Sequence, residues 1–472
     1  MDLLNTVNDV LWSYLIVVIL VGAALYFTIR SKGVQFRFMK DAIRIMMGRD
    51  KNPNTTGGTG KIGSFQAFAV SLASRVGTGN LAGVASAIFV GGPGAVFWMW
   101  MMALLGSATA FVEATLAQLY KRKGKDSFYG GPAYYMESGL GMKWMGVLFS
   151  VLMVLTFGMG NQLVQSNTIV DSLSDSFGWN KIVTGFFLAL GVFVIIVGGI
   201  KRISKVVSYM VPFMAIGFIL LALFIVCANI SLIPDVFKVI FDSAFGLRQF
   251  GGGLVGVAIL QGVKRGLFSN EAGEGSAPNA AAIADTSHPV KQGLVQALGV
   301  FIDTIIICTC TAFVVILFGV SASSDGILHF EQDGILLTTR AVESFVGPAG
   351  KYFITAAIFL FAFSTILANY FYGENNIRYI TTKKWPVRVF QGISFFCLFL
   401  ASLMTLQQAW TIIDILMGLL TLTNVAAIVL LSGKAFALLR DYASKRKAGE
   451  KDPVFRKTDI EGGNMSSVDC WD

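Results

Sequence analysis

Two glycines and an asparagine interrupt an otherwise apolar stretch of the sequence. Gly77-Thr78-Gly79-Asn80 lies in the middle of the apolar run 63–90. Glycine destabilises a helix and allows unusual backbone angles, so a helix through this run should break here. The N-terminus of the second half-helix would favour an anion such as a carboxylate. The freed carbonyl groups, nearby hydroxyls and the Asn80 side-chain oxygen suit a hard cation such as sodium.

Two adjacent hydroxyl side chains, Ser364 and Thr365, lie in the apolar run 349–376. Hydroxyls in a helix commonly donate to a carbonyl of the preceding turn, and that interpretation needs no ligand. Beside a broken helix, the same hydroxyls could complete a cation site. The amide of Gln165 leaves a similar choice, because it could bond a neighbouring helix or bind a ligand.

The elements that position these residues are long apolar runs. Of the 472 residues, 54% are hydrophobic and only 14% are charged, whereas soluble domains are about 25% charged. About 20 apolar residues cross a bilayer as a helix. The sequence therefore predicts an all-α membrane protein with eleven transmembrane helices, at about 11–29, 63–90, 95–119, 144–170, 183–199, 207–230, 252–284, 292–320, 349–376, 389–406 and 409–432.

The positive charges are distributed unevenly along the chain. With the N-terminus outside, the cytoplasmic segments hold 29 of the 37 Lys and Arg residues, and the outer segments hold five. This asymmetry predicts a multi-pass protein of the cell membrane with a cytoplasmic C-terminus. It also accounts for the net charge of +9 without a nucleic-acid partner. Asp2 and Asp9 precede the first run, unlike the positive flank of a cleaved signal peptide. The polar tail from Ser444 is predicted to be disordered.

Two segments of the chain match at an offset of 190 residues. Residues 75–87 and 265–277 share Arg, Asn, Ala, Gly, Ser and Ala at identical spacing. The copies are five spans apart, so they would cross the membrane in opposite directions as an inverted repeat. Chance, or helix packing through small residues, is the alternative. Packing alone does not require Arg and Asn, which are costly in lipid, so the pattern favours the repeat.

Nine ionisable residues lie inside the apolar runs. Three are bases and six are acids, so pairing within the protein is available, and we expect most of them to be structural. They are Arg75, Glu113, Lys264, Arg265, Glu271, Glu274, Asp303, Glu374 and Asp414. No run has a continuous polar stripe, which argues against a channel. The sequence has no nucleophile or metal-ligand constellation, so we expect neither an enzyme nor a cofactor.

The longest motifs resemble the alanine or glycine:cation symporter family of bacteria and archaea. The likeness runs from about Gly63 to Leu431. It is strongest at 74–80 with 91–100, at 262–273, and at 363–367 with 372–374. The resemblance implies a leucine-transporter-like fold of five plus five inverted helices, with one extra N-terminal span. It implies sodium-coupled uptake of alanine, glycine or a related neutral amino acid, with sodium as the coupling ion.

The resemblance also implies a set of site residues. The substrate carboxylate would bind the backbone N–H groups of Thr78 and Gly79. Gln165 would face the substrate, and Gly262 would let the backbone pass close to it. The sodium ligands would be the carbonyls of Ala73 and Val76 and the hydroxyls of Ser364 and Thr365. Asn80 would serve a second ion or the substrate.

One position departs from the family pattern. Many alanine carriers of this family have Gly-Trp after Phe-Ser-Thr-Ile-Leu, whereas this chain has Ala368 and Asn369. If the tryptophan caps the side-chain pocket, Asn369 makes that pocket larger and more polar, which favours glutamine or asparagine over alanine. Alternatively, Asn369 contacts a neighbouring helix or water.

The predicted organisation has four parts. An N-terminal span and basic segment (1–62) precedes two five-helix repeats (63–230 and 231–432), and a cytoplasmic tail (433–472) follows. A proton-coupled carrier of the same fold remains the alternative to sodium coupling.

Overall fold

The computed structural model describes residues 8, 10–48, 62–124, 127–246, 252–322, 328, 330–404, 406–459 and 468–471. Asp2 and Asp9 lie outside these residues, as does the end of the basic segment that follows the first span, residues 49–61. The described chain is almost entirely helical. Its one sheet there is a hairpin of β1 (Arg122–Lys123) and β2 (Phe128–Tyr129).

The helices of the first half include four that contain or adjoin a wider π-helical turn. They are α1 (Val17–Arg30, after the π-turn Leu11–Ile16), α2 (Val34–Arg37), α3 (Met39–Met46), α4 (Ser64–Arg75), α5 (Val84–Gly91, after the π-turn Gly79–Gly83), α6 (Gly94–Leu119), α7 (Pro132–Leu140), α8 (Lys143–Leu155), α9 (Gln162–Phe177, joined to α8 by the π-turn Thr156–Asn161), α10 (Lys181–Ile196), α11 (Gly199–Ala228) and α12 (Ile233–Phe245).

The second half repeats the use of long helices and one π-helical join. Its helices are α13 (Gly252–Asn270), α14 (Ala277–Ala282), α15 (Pro289–Val300), α16 (Thr309–Ala322, joined to α15 by the π-turn Phe301–Cys308), α17 (Gly334–Val346), α18 (Pro348–Ile380), α19 (Lys384–Leu400) and α20 (Leu406–Lys447). Short 3₁₀ turns lie at Ile230–Leu232, Ala401–Leu403 and Lys457–Asp459.

Many of these helices are long and apolar enough to cross a membrane. Within the described chain, seven meet that condition by length and composition: Gly94–Leu119, Lys143–Phe177, Gly199–Ala228, Pro289–Ala322, Pro348–Ile380, Lys384–Leu403 and Ile413–Lys447. Three shorter apolar helices are Val17–Arg30, Gly79–Gly91 and Lys181–Ile196. The protein is therefore an all-α, multi-pass membrane protein, as the composition predicts.

Two helices are interrupted. After α4, Val76 leaves the helical region with φ −83° and ψ 83°, and the helix resumes at Gly79. After α13, Glu271 has φ +56° and Gly273 has φ +94°, and a helix resumes only at α14. Positive φ is costly for a residue such as Glu271, so the surrounding structure must hold this second break open.

The two interrupted helices run in opposite directions. The carbonyl of Ile62, just before α4, accepts a hydrogen bond from the N–H of Asp285, just after α14, at 2.9 Å. At the other end, Gly91 packs against the Gln261 side chain in α13. The start of one interrupted helix thus meets the end of the other.

The sequence repeat does not align the two breaks. At the offset of 190 residues, the residue that corresponds to Val76 is at position 266. The helix α13, however, continues to Asn270. The second break therefore begins five residues later than the matching motif suggests. Position 266 remains helical and packs closely on Met99 and Met102 of α6.

Several intramembrane charges are paired, as the sequence predicts. Lys264 forms an ion pair with Asp414, and its ammonium lies 5.4 Å from the centre of the Trp12 ring. Glu374 pairs with Arg378 one turn later at 2.6 Å. Pairing offsets the cost of charge in lipid, and the first pair also ties the N-terminal span to α13 and α20.

The C-terminal region is folded wherever it is described. The helix α20 continues to Lys447, and the segment after it packs on the ends of other helices. The N–H of Phe455 donates to the Ser287 carbonyl at 2.9 Å. The indole N–H of Trp471 donates to the Gln118 carbonyl at 3.0 Å. The prediction of disorder from Ser444 is wrong for these residues, because their few aromatic side chains are buried.

We expect the C-terminal segment to loosen in mild acid because of His288. This side chain lies in the loop before α15, fully buried against the rings of Tyr442 and Phe455. Its Nδ1 accepts from the Val290 N–H at 3.2 Å, and its Nε2 faces Asp441 at 3.0 Å. Burial lowers the pKa of His288 from 6.5 to about 4, although Asp441 opposes the shift.

The sign of the pH effect follows from this depressed pKa. The unfolded segment binds a proton below about pH 6.5, whereas the folded segment does not until about pH 4, so stability is full above 6.5 and falls between the two values. Thermal unfolding of the purified protein across this range should show the loss. His288→Asn, which keeps an acceptor for the Val290 N–H, should lose less stability over the same range. Identical pH profiles for the two proteins would contradict the assignment to His288.

Candidate functional site

The first break lies between α9 and α18. Both helices turn polar side chains toward it, and each side chain meets backbone groups that the break has released. These backbone groups have no partner in their own helix, which explains why polar side chains must approach them in the apolar interior.

Three carbonyl oxygens converge on one hydroxyl of α18. The Thr365 Oγ1 lies 2.7 Å from the Ala73 carbonyl oxygen, 3.0 Å from that of Phe361 and 3.4 Å from that of Val76. The carbonyl of Ala73 is released because the N–H of Gly77 turns instead to the Arg75 carbonyl. A cluster of neutral oxygens in a buried place is the donor set that a hard monovalent cation prefers.

Ser364 makes a local hydrogen bond. Its hydroxyl donates to the Phe361 carbonyl at 2.9 Å and lies 3.6 Å from the Met214 sulfur in α11. This is the bond to the preceding turn that the sequence left as an alternative. It nevertheless shares the Phe361 carbonyl with Thr365, so both predicted hydroxyls border one oxygen cluster.

On the opposite side of the break, a side-chain amide oxygen accepts a hydrogen bond from a backbone N–H group. The N–H of Thr78 donates to Gln165 Oε1 of α9 at 3.1 Å. Thr78 begins the second half-helix, where N–H groups and the helix dipole favour a negatively charged group. The Gln165 oxygen thus satisfies the backbone N–H at the start of this half-helix.

Gly77 lies between the Thr365 hydroxyl and the Gln165 amide. A Cβ atom on this residue would lie 2.5 Å from Thr365 Oγ1 and 3.1 Å from Gln165 Oε1. The three elements therefore meet with no room for a side chain. Gly79 is equally constrained, because a Cβ there would lie 2.9 Å from the Phe268 ring.

Asn80 connects the first break to a buried carboxylate. Its Oδ1 accepts from the Gly77 N–H at 2.9 Å, and its Nδ2 donates to Asp303 Oδ1 at 2.6 Å. Asp303 also accepts from the hydroxyls of Ser269 at 2.7 Å and Thr304 at 2.8 Å. All of these side chains are buried, so the carboxylate, hydroxyl and amide groups form a second polar centre beside Asn80.

Asn369 lies one turn beyond Thr365, against α4. Its Oδ1 accepts from the Ser74 hydroxyl at 2.8 Å, and the same hydroxyl lies 2.5 Å from Glu271 Oε1. The Asn369 Nδ2 is buried without a hydrogen-bond partner in the described part of the chain. One half of this amide is thus used by a helix contact, and the other half remains available as a donor.

Gly262 does not contact the polar residues around the first break. A Cβ there would lie 2.5 Å from the Ala95 carbonyl oxygen and 2.6 Å from the Trp98 Cβ, both in α6. These contacts are those of close helix packing. The part of α13 that approaches the break is the Phe268 ring and the Ser269 Cα, 2.9 Å and 3.7 Å from a Cβ on Gly79.

The second break is held open by side chains from two other helices. Glu113 of α6 accepts from the Gly273 N–H at 3.3 Å and from the Asn424 Nδ2 at 2.9 Å. Asn424 of α20 also donates to the Gly273 carbonyl at 2.9 Å. These bonds satisfy backbone groups that the unwound segment exposes.

Sequence reasoning missed one contributor to the site, the Phe361 carbonyl, and the partner of another, Asp303. The Phe361 carbonyl carries no sequence signal, because any residue supplies the same group. Asp303 did carry one, since it is an acid within an apolar run. What was missing was its partner, which lies more than 200 positions away at Asn80.

Two antiparallel interrupted helices within a multi-pass helical bundle define a secondary transporter. A solved structure of MhsT in complex with L-phenylalanine shares this fold, with a TM-score of 0.55, 14% identity, and coverage of 87% of this chain and 96% of that one. The fold is therefore leucine-transporter-like.

The chain belongs to the sodium:alanine symporter family, which matches residues 1–457. It is 45% identical over 469 residues to the probable sodium/glutamine symporter GlnT of Bacillus subtilis, covering 98% of this chain and 94% of that protein. It is 37% identical over 457 residues to the sodium/alanine symporter AgcS of Methanococcus maripaludis, covering 96% and 99%. The family resemblance in the sequence motifs is confirmed.

Proposed function

We propose that this protein is a symporter that imports a small neutral amino acid together with sodium by alternating access. The observation that carries the proposal is the meeting of two kinds of group at one helix break. Carbonyl oxygens released from the end of α4 gather around Thr365, and the N–H of Thr78 begins the next half-helix. A cation and a carboxylate could thus bind side by side without a charged protein side chain.

The ion sites follow from the oxygen positions. The first sodium would bind the carbonyls of Ala73, Val76 and Phe361 and the hydroxyl of Thr365, with Ser364 turning toward it. Asn80 would help bind a second ion, next to the Asp303 carboxylate. Asp303 supports this second role because a buried carboxylate favours a neighbouring cation.

The substrate would bind around the first break. Its carboxylate would replace the Gln165 oxygen at the Thr78 N–H and reach Gly79, and Gln165 would then turn to another group of the substrate. The side chain of the substrate would extend toward Asn369. Because the Asn369 Nδ2 has no partner among the described residues, an amide substrate such as glutamine could satisfy it.

The membrane topology forms part of the same proposal. We infer eleven spans, with an extra N-terminal span (1–62) before two inverted five-helix repeats (63–230 and 231–432). The antiparallel interrupted helices support this inversion. The C-terminal region from 433 would lie in the cytoplasm, and the N-terminus outside the cell membrane, as the distribution of Lys and Arg favours.

Uptake by purified protein in proteoliposomes tests the proposal. Labelled alanine, glycine and glutamine would each be offered with an inward sodium gradient, with an inward proton gradient alone, and with neither. We expect accumulation only with the sodium gradient. Full accumulation with the proton gradient alone would establish the proton-coupled alternative, and no accumulation of any of the three would overturn amino-acid symport.

Asn369→Trp should shift the preference of the carrier from glutamine toward alanine and glycine. Tryptophan is larger and has no acceptor, so it would fill the pocket and leave an amide substrate unpaired. We expect the ratio of glutamine to alanine uptake to fall by about tenfold, since unpaired buried polar groups are strongly rejected. Asn369→Leu serves as a control that removes the amide with little change in volume. An unchanged ratio in both variants would show that Asn369 acts only through Ser74.

A further inference from the structure

A cavity far from the transport site lies where α20 extends beyond the bundle. Its volume is about 610 Å³, and it opens between the short helices α2 and α3 and the last turns of α20. Its lining is Arg37, Phe38, Lys40, Asp41, Ala443, Ser444, Arg446 and Lys447. Four of these eight side chains are cationic, and one is anionic.

The single acid in the cavity is already neutralised. Asp41 accepts two hydrogen bonds from Arg446, at 2.8 Å to Oδ1 and 3.0 Å to Oδ2. This two-point pair fastens α3 to α20. It leaves the charges of Arg37, Lys40 and Lys447 without a carboxylate partner within the described part of the chain. The cavity therefore carries uncompensated positive charge.

The helix α3 has the three faces of a helix that lies on a membrane surface. Ala42 and Ile45 are buried against the protein. Lys40, in the first turn, is exposed. Ile43 and the residue that follows the helix, Met47, are 40% and 62% exposed. Apolar side chains next to basic ones place such a helix at the boundary between lipid tails and headgroups.

We propose that this cavity binds the phosphate group of an anionic phospholipid. The Arg37 guanidinium and the ammonium groups of Lys40 and Lys447 supply the donors that phosphate oxygens prefer. The Ser444 hydroxyl at the same opening already donates to the Asp441 carbonyl at 2.8 Å, so the three basic groups are the donors. Inorganic phosphate offers the same oxygens. The exposed apolar groups beside the cavity favour a lipid, because they would contact its acyl chains.

The position of the cavity gives the bound lipid a structural role. Its walls come from the segment after the first span and from the end of the last helix, which Asp41 and Arg446 already connect. A lipid phosphate between Arg37 and Lys447 would add a second connection. The proposed lipid site involves neither the substrate nor the coupling ion. A negative result for lipid binding would therefore leave the proposed transport reaction unchanged.

Native mass spectrometry of the purified full-length protein tests the proposal. Phosphatidylglycerol and phosphatidylcholine would be titrated separately, and the occupancy of the first bound lipid measured. We expect saturable binding of phosphatidylglycerol that Arg37→Gln with Lys40→Gln weakens about tenfold or more, since each basic group near an anionic lipid contributes severalfold. Arg446 is left unchanged so that its pair with Asp41 persists.

The matched control is Lys383→Gln with Lys384→Gln, which removes the same charge from exposed residues elsewhere. It should bind phosphatidylglycerol like the wild type. A second pair, Lys40→Gln with Lys447→Gln, should behave like the first pair. It tests the proposal if the first pair unfolds, because it keeps the hydrogen bond from Arg37 to the Ser31 carbonyl.

Three results would overturn the proposal. Equal binding by the wild type and both cavity pairs would show that the lipid binds elsewhere. An equal loss in the control pair would show that binding depends on overall charge and not on the cavity. Displacement of the lipid by inorganic phosphate at the same concentration would show that the acyl chains add nothing, and that a soluble phosphate is the ligand.

Discussion

Gly77→Ala should lower the initial rate of sodium-driven amino-acid uptake by about 100-fold or more, in the range expected when a tightly packed place is overfilled by several kcal/mol. The added methyl group would lie 2.5 Å from the Thr365 hydroxyl and 3.1 Å from the Gln165 amide oxygen. Contacts this short must move one or both side chains. Because the two side chains border the proposed ion and carboxylate positions, both binding steps should be impaired. Uptake into proteoliposomes, normalised to folded protein, measures the effect.

Gly83→Ala is the matched control for this experiment. It is the same substitution in the π-helical turn that follows the break, and a Cβ at Gly83 has no neighbouring atom within 4 Å. It should transport at close to the wild-type rate, so a general loss of helix flexibility would be recognised. Near-normal uptake by Gly77→Ala would mean that substrate and ion do not bind around this break.

Thr365→Ala should raise the sodium concentration needed for half-maximal uptake by about tenfold or more. The variant removes the Thr365 hydroxyl oxygen, which lies within 3.4 Å of the carbonyl oxygens of Ala73, Val76 and Phe361. Losing one ligand to a cation weakens binding by about 1.5 kcal/mol or more, the range of hydrogen bonds to charged groups. The measurement is uptake as a function of sodium at fixed amino-acid concentration.

Two further variants separate a ligand from a packing residue. Thr365→Ser keeps the hydroxyl and removes a methyl group, so it should retain most of the sodium affinity. Ser364→Ala should have a smaller effect than Thr365→Ala, because the Ser364 hydroxyl already donates to the Phe361 carbonyl. Sodium dependence that is unchanged in Thr365→Ala would remove this residue from the ion site.

The sequence predicts the first break more accurately than the second. Two glycines around Thr78 destabilise a helix locally, and the structure leaves the helix at Val76. The matching motif has Leu267 and Ser269 where the first has Gly77 and Gly79, so α13 continues through it. The second break falls instead at Gly273 and Gly275, which both have positive φ, and Glu113 and Asn424 stabilise the unwound backbone at Gly273.

The orientation of individual side chains was equally beyond the sequence. Gly262 and Gly266 follow helical spacing, and both turn out to face α6. Asn369 shares a helix face with Thr365, as its spacing predicts, yet its oxygen is used by Ser74. Which side of a helix faces the substrate depends on the rotation of that helix against its neighbours, and the sequence of one helix does not specify this rotation.

The sequence by itself determined the class of the protein, its family, the first interrupted helix and the hydroxyl pair in α18. The family follows from the resemblance of the motifs, and the other properties follow from local composition: apolar length fixes what can cross a bilayer, and glycine fixes where a helix weakens. Only the tertiary structure decided that Asn80 meets Asp303, that the Phe361 carbonyl joins Thr365, and that the C-terminal segment packs on Ser287. Each of these contacts joins groups through the packing of separate elements, and a buried polar group takes whichever partner that packing brings within reach.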